Sequence, residues 1–251
     1  MCFTVAITRK GVLMTIEQYY NSLPNPDQKK RKNPMLPDFP DFYMINGFVH
    51  PSLPVIKENG IEMLDWGLIP NWVNDTEKAN DIQSKTLNAK AETIFEKPSF
   101  RQNIVFNRCI VPVDGFYEWR EYKGTKYPYF IQPADNAGFL LGSVFDSWFD
   151  SSTAKTHNTF SIVTTAANPL MEMIHNQKKR MPLILSTNEA QQWLTPDLRS
   201  EQIMQLMKPF DERLMKAHSI SRIASKSLAN RNIPDIWLPV DYPELNQQSL
   251  F

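Results

Sequence analysis

The sequence predicts an α+β fold with all 251 residues in a single domain. Three observations lead there. Strand-like apolar runs fill the middle of the chain, helical patterns fall between them without regular strand–helix–strand alternation, and no linker is long or flexible enough to separate two units. With 42% hydrophobic and 22% charged residues, the chain can bury a core. Proline is abundant at 19 and glycine scarce at 8, which predicts short elements joined by Pro-marked loops. No GxGxxG, P-loop or repeat period is present.

Taken in order, "CFTVAITR" (2–9) reads as a strand and "TIEQYYNSL" (15–23) as a short helix capped by Thr15. The polar, basic, Pro-rich stretch 24–42 reads as a loop. Residues 50–70 read as two strands around an Asn59-Gly60 turn. Further strands are predicted at 102–113, 127–133, 138–148, 159–166 and 181–186, and helices at 168–176, 188–194 and 200–215. In the last of these, Ile203, Leu206 and Met207 recur at i, i+3, i+4 spacing.

The 27 basic and 27 acidic side chains cancel to a formal net charge of +0, so no global field draws the protein to nucleic acid or to an anionic membrane. A polyanion site must be a local patch. No apolar run reaches the roughly 18 residues needed to span a bilayer, and no secretory leader is evident, so a cytoplasmic location is expected. Of the two cysteines, Cys109 lies in the apolar "NRCIVPV" and is expected to be a buried thiol. Four scattered histidines give no ligand spacing, so neither a metal nor another cofactor is expected.

Five places could carry chemistry. If Met1 is trimmed, Cys2 exposes an α-amine beside its thiol, with ordinary pKa values of about 7.7–8.0 and 8.5, so both nucleophiles are partly available near neutrality. Such a 1,2-aminothiol condenses with an aldehyde to a thiazolidine. In "WGLIPNW" (66–72), Trp66 and Trp72 could stack on bases or pack in the core. "LNAKAET" (87–93) points Asn88 and Lys90 to one side if extended. Glu118 sits between Tyr117 and Trp119, where desolvation would raise its pKa, or else lies on a wet strand face. His175 ends a helical pattern and precedes the basic run Lys178, Lys179, Arg180.

Together and in this order, Met-Cys, "WGLIPNW", "LNAKAET", "CIVPVDGFYEW" and a His followed by Arg-Met-Pro resemble the SOS response-associated peptidase (SRAP) family, from Cys2 through "SISR" at 219–222. The resemblance implies a partly closed antiparallel β-barrel flanked by short helices, with a positively charged groove. It implies a sensor of abasic sites in single-stranded DNA that acts in the DNA damage response. Cys2 would form a thiazolidine with the ring-opened sugar, shielding the lesion, and the crosslink would be reversible. It further implies that Asn88 holds and orients the α-amine or the N-terminal backbone, that Glu118 shuttles protons and that His175 protonates the sugar oxygen. Trp66 or Trp72, Lys90 and Arg180 would hold DNA, with Thr86, Ser219 and Arg222 as further contacts. A monomer is expected, nucleoid-associated when bound to DNA.

The chain departs from the family pattern in three places. Phe3 and Thr4 stand where Gly-Arg is usual, Lys90 replaces an arginine, and the interval from His175 to Arg180 is longer. Two other readings of the same residues are a thiol peptidase, acting on its own terminus or on other proteins through Cys2, Asn88 and His175, and a noncovalent single-stranded or modified DNA-binding module.

Overall fold

A computed structural model of the chain describes residues 2–24, 36–135, 137–226 and 228–246. The strands are β1 (Thr4–Ile7), β2 (Phe42–Asn46), β3 (Ser52–Lys57), β4 (Gly60–Trp66), β5 (Asn88–Lys90), β6 (Arg108–Val113), β7 (Gly115–Tyr122), β8 (Thr125–Pro133), β9 (Phe139–Asp150), β10 (Lys155–Ala166), β11 (Arg180–Pro182), β12 (Ile184–Leu185) and β13 (Met215–Ser219). The helices are α1 (Arg9–Ser22), α2 (Thr76–Lys85), α3 (Asn103–Phe106), α4 (Pro169–Ile174), α5 (Thr187–Leu194), α6 (Ser200–Leu206) and α7 (Pro243–Asn246).

Two sheets form, with strand orders β13-β8-β7-β1-β2 and β11-β10-β4-β3-β6-β9-β12, and β5 added beside β10. In the larger one, β10, β4, β3, β6 and β9 make a closed ring, because β9 also pairs with β10. The expected barrel is therefore present and its ring is complete. Four of its joints are antiparallel, and β4 meets β10 in parallel with Asp65 opposite Thr159 and Trp66 opposite Phe160. Closure leaves these five strands with no open edge between them.

Most strands fall where their apolar patterns place them, and the Asn59-Gly60 hairpin is shifted by one residue, with Gly60 already opposite Lys57. Other local readings change. The first helix begins at Arg9 with Thr8 as its cap, so Thr15 is a mid-helix residue whose hydroxyl donates to Gly11 and Ala137 carbonyls. The reason is tertiary: Thr8 N–H donates to the Asp114 carboxylate at 2.5 Å, anchoring the helix start. Gly11 is required there, since a Cβ on it would come within 1.6 Å of Asp114 Oδ1. Residues 103–106 form a helical turn before β6, and the pattern at 200–215 breaks after Leu206 and ends in β13. Of the predicted loop, 25–35 lie outside the described residues, while Leu36 and Phe39 beyond them are buried in the core.

Cys109 is wholly buried in β6, as expected. Trp66 is buried as well, and this removes it as a DNA contact. Its ring lies nearly parallel to Phe160 at 6.1 Å and its Nε1–H donates to the Leu87 carbonyl at 2.8 Å. A Cβ on Gly47 would sit 3.0 Å from the same indole. The side chain is a packing centre that ties β4 to the approach of β5, so replacing it leaves a cavity and an orphaned carbonyl. We expect Trp66→Ala to lower unfolding free energy by about 3–5 kcal/mol, read as a lower denaturant midpoint.

Candidate functional site

The site forms where the chain's first residues meet β7 and the end of α4. Pairing of β1 with β7 sets Val5 opposite Phe116 and Ala6 opposite Gly115, and this antiparallel register carries the residues before Val5 toward the Glu118 end of β7. Phe3, Asn46, Glu118, Trp119 and His175 line one open cavity of about 490 Å³. Cys2, the residue before Phe3, is wholly buried, and the charge of Glu118 acts on its thiol.

His175 is placed by α4. Asn168 caps that helix through Met171 N–H, and Pro169 occupies its first turn, where a missing N–H costs nothing. The helix ends at His175, whose N–H donates to Met171 O at 2.7 Å. Its Nδ1 lies 2.8 Å from the Arg180 carbonyl and 3.7 Å from Glu118 Oε1. A carbonyl only accepts, so the ring proton belongs on Nδ1 and the lone pair on Nε2.

Burial separates the titrations of these groups. Desolvation pushes the Glu118 carboxyl up to about 7, against the opposing positive charges of the chain's N-terminus and Lys178. It pushes His175 down to about 4, where the Arg180 carbonyl opposes the shift and nearby positive charges add to it. The pair is therefore no ion pair at neutrality: the imidazole is neutral and the carboxyl shares its proton with solvent. Burial, followed by the Glu118 charge, raises the Cys2 thiol far above its ordinary range. While Met1 remains attached the thiol is thus held protonated; the expectation of a partly ionised thiol concerns the terminus after Met1 is released.

Asn88 sits in β5 opposite Ile162 of β10, at 9% exposure. Neither its Oδ1 nor its Nδ2 has a hydrogen-bond partner among the described residues. A buried amide without partners is costly, and such groups mark places where a ligand or water completes the structure. Lys90, two residues on, is exposed.

The remaining predicted contacts are placed less favourably. The guanidinium of Arg180 is engaged by Glu92 and by the Thr164 carbonyl, and its side chain is only 14% exposed. Arg222 pairs with Glu244 at 3.0 Å and lies over the rings of Tyr127 and Tyr242, and it is not itself among the residues lining the cavity. Thr86 is buried and donates to Leu68 O, and Ser219 donates to Val240 O. Each of these four side chains is engaged by a partner within the protein. Trp72 remains exposed in the turn after β4. Residues not foreseen are Asn46, Glu121, Lys126 and Arg231 at the cavity. They come from separate elements, and only the fold brings them together.

The family model described as SOS response associated peptidase (SRAP) matches residues 1–227. The chain is 35% identical over 204 residues to abasic site processing protein YoqW of Bacillus subtilis (strain 168), covering 76% of this chain and 88% of that protein. It is 29% identical over 194 residues to abasic site processing protein HMCES of Xenopus tropicalis, covering 70% of this chain and 56% of that one. Among solved structures, a protein from Bacteroides thetaiotaomicron superposes with a TM-score of 0.82 at 37% identity, covering 95% of this chain and 100% of that chain. The chain belongs to the SOS response associated peptidase (SRAP) family.

Proposed function

We propose that this protein captures abasic sites in single-stranded DNA as a covalent adduct through Cys2, after release of Met1, and that it can also reverse the adduct. The observation that carries the reading is the cavity that gathers Phe3, Glu118 and His175, with Cys2 buried next to Phe3 in sequence and within reach of the Glu118 charge. The names of relatives, abasic site processing proteins, agree with it.

The chemistry balances with no added reagent. The freed α-amine of Cys2 adds to the aldehyde of the ring-opened sugar, and loss of one water gives a Schiff base. The thiol then adds to the imine carbon, its proton passing to nitrogen, and the five-membered thiazolidine closes. A thiol held protonated leaves the first attack to the amine, so burial orders the two steps. Glu118, poised at about 7, can give a proton to the departing oxygen and take one back. His175, neutral with its lone pair on Nε2, is suited to accept a proton, which exchanges the donor role expected from sequence for an acceptor role. We assign the unpartnered amide of Asn88 to holding the amine.

A thiol peptidase fits less well. Such an enzyme works through a thiolate beside an imidazolium, and here burial drives the thiol up and the imidazole down.

Mixing the protein with single-stranded DNA carrying one abasic site should give a denaturation-resistant adduct whose mass is the sum of both partners minus one water. Cys2→Ala should abolish it; an unchanged adduct in that variant would exclude the mechanism. Glu118→Gln should slow adduct formation by about 10²–10⁴-fold, measured by quenched time points on denaturing gels.

The same substitution has a stability signature. Folding raises the Glu118 pKa from 4.5 to about 7, so its contribution to stability is fully present below 4.5 and is lost as pH rises to 7. Glu118→Gln should remove that decline and leave the variant more stable than wild type at pH 8, by on the order of 3 kcal/mol. Urea midpoints taken between pH 4 and 8 measure it.

A further inference from the structure

Two cations that the family resemblance assigns to phosphate do not serve here. Position 4 is a buried threonine, and the Arg180 guanidinium is committed to Glu92 and Thr164. The strand still needs positive charge near the reacting sugar.

The stretch between His175 and Arg180 supplies it. Lys179 N–H donates to the His175 carbonyl at 2.8 Å, and Lys179 adopts a left-handed φ of 48° that closes the turn. Asn176 then fastens this turn to β7. Its Nδ2 donates to Glu121 O at 2.7 Å and its Oδ1 accepts from Glu121 N at 3.2 Å, as a neighbouring strand would. With the turn fixed, Lys178 lines the cavity beside Glu118 and His175. Lys179 has a carboxylate, Glu172, at 3.8 Å; no carboxylate among the described residues forms an ion pair with Lys178. Lys126 and Arg231 add positive charge to the same cavity, and Glu118 and Glu121 are the carboxylates that line it.

We propose that Lys178 binds a backbone phosphodiester beside the captured sugar and that Asn176 is the positioning residue that holds it there. The choice of a nucleic-acid phosphodiester rests on the strand-capture reading above. A lysine makes this contact as a point charge and tolerates several phosphate positions, where an arginine fork would fix one. The charge of Lys178 also lowers the titration of both Glu118 and His175, so the residue is electrostatically part of the site.

The test uses a single-stranded oligonucleotide with a tetrahydrofuran abasic analogue, which has no aldehyde and cannot crosslink. Binding is measured by anisotropy between 50 and 200 mM salt for wild type, Lys178→Gln, Lys178→Arg, Asn176→Ala and, as a control on α1, Lys10→Gln. Lys178→Gln and Asn176→Ala should each flatten the slope of log K against log salt by about 0.7, the loss of one single-strand phosphate contact. Lys178→Arg and Lys10→Gln should keep the wild-type slope. An unchanged slope in Lys178→Gln overturns the assignment, and an unchanged slope in Asn176→Ala overturns the positioning role. On DNA with a true abasic site, Lys178→Gln should also move the pH profile of adduct formation upward. Absence of any wild-type adduct would defeat the covalent reading while leaving the salt slopes fully informative.

Discussion

The arrangement depends on one constraint: a carboxyl and an imidazole are held 3.7 Å apart in a place too dry for either to charge freely. In water these two groups would form a carboxylate and a partly protonated ring. Desolvation reverses both preferences and yields a near-neutral acid facing a neutral base. That state can move a proton in either direction, as formation and reversal of an imine both require. The stability lost by keeping Glu118 buried at high pH is the thermodynamic counterpart of that readiness.

Each element around the site serves this constraint. β1 brings the terminal segment alongside β7, α4 delivers His175 at its end, and the Asn176 contacts to Glu121 keep the following turn against the same strand. The closed ring of five strands is the rigid body on which β5 and β11 are mounted, both paired to β10, so that Lys90 and Pro182 share Thr164 as their neighbour. Asn88 and Arg180 are thereby registered against a common strand although 92 positions in sequence separate them. Arg180, engaged by Glu92, contributes to holding β11 and the site frame more than to the solvent face.

Much of this was legible in the chain. The apolar runs located β8, β9 and β10, whereas the position of Glu118 between two aromatics left a desolvated carboxyl and a wet strand face both open, and only its burial in the fold decides for the first. What the chain does not show locally is tertiary in origin. Thr15 has the chemistry of a cap, but Asp114, about a hundred residues away, moves the helix start to Thr8. Trp66 beside a proline turn can be either a stacking surface or a core side chain until parallel pairing of β4 with β10 lays it on Phe160. Helix α2 gives no apolar stripe to read, because its polar face outweighs a single buried residue, Ala79. Lys126 and Arg231 carry no local signature at all, and only the cavity joins them.

Nuclear magnetic resonance titration of the His175 ring and the Glu118 carboxyl, each assigned by substitution, tests the central claim most directly. The account predicts a ring that stays neutral down to about pH 4 and a carboxyl that titrates near 7. A ring that protonates above pH 7 opposite a carboxyl that ionises below 5 would reveal a conventional ion pair and contradict it.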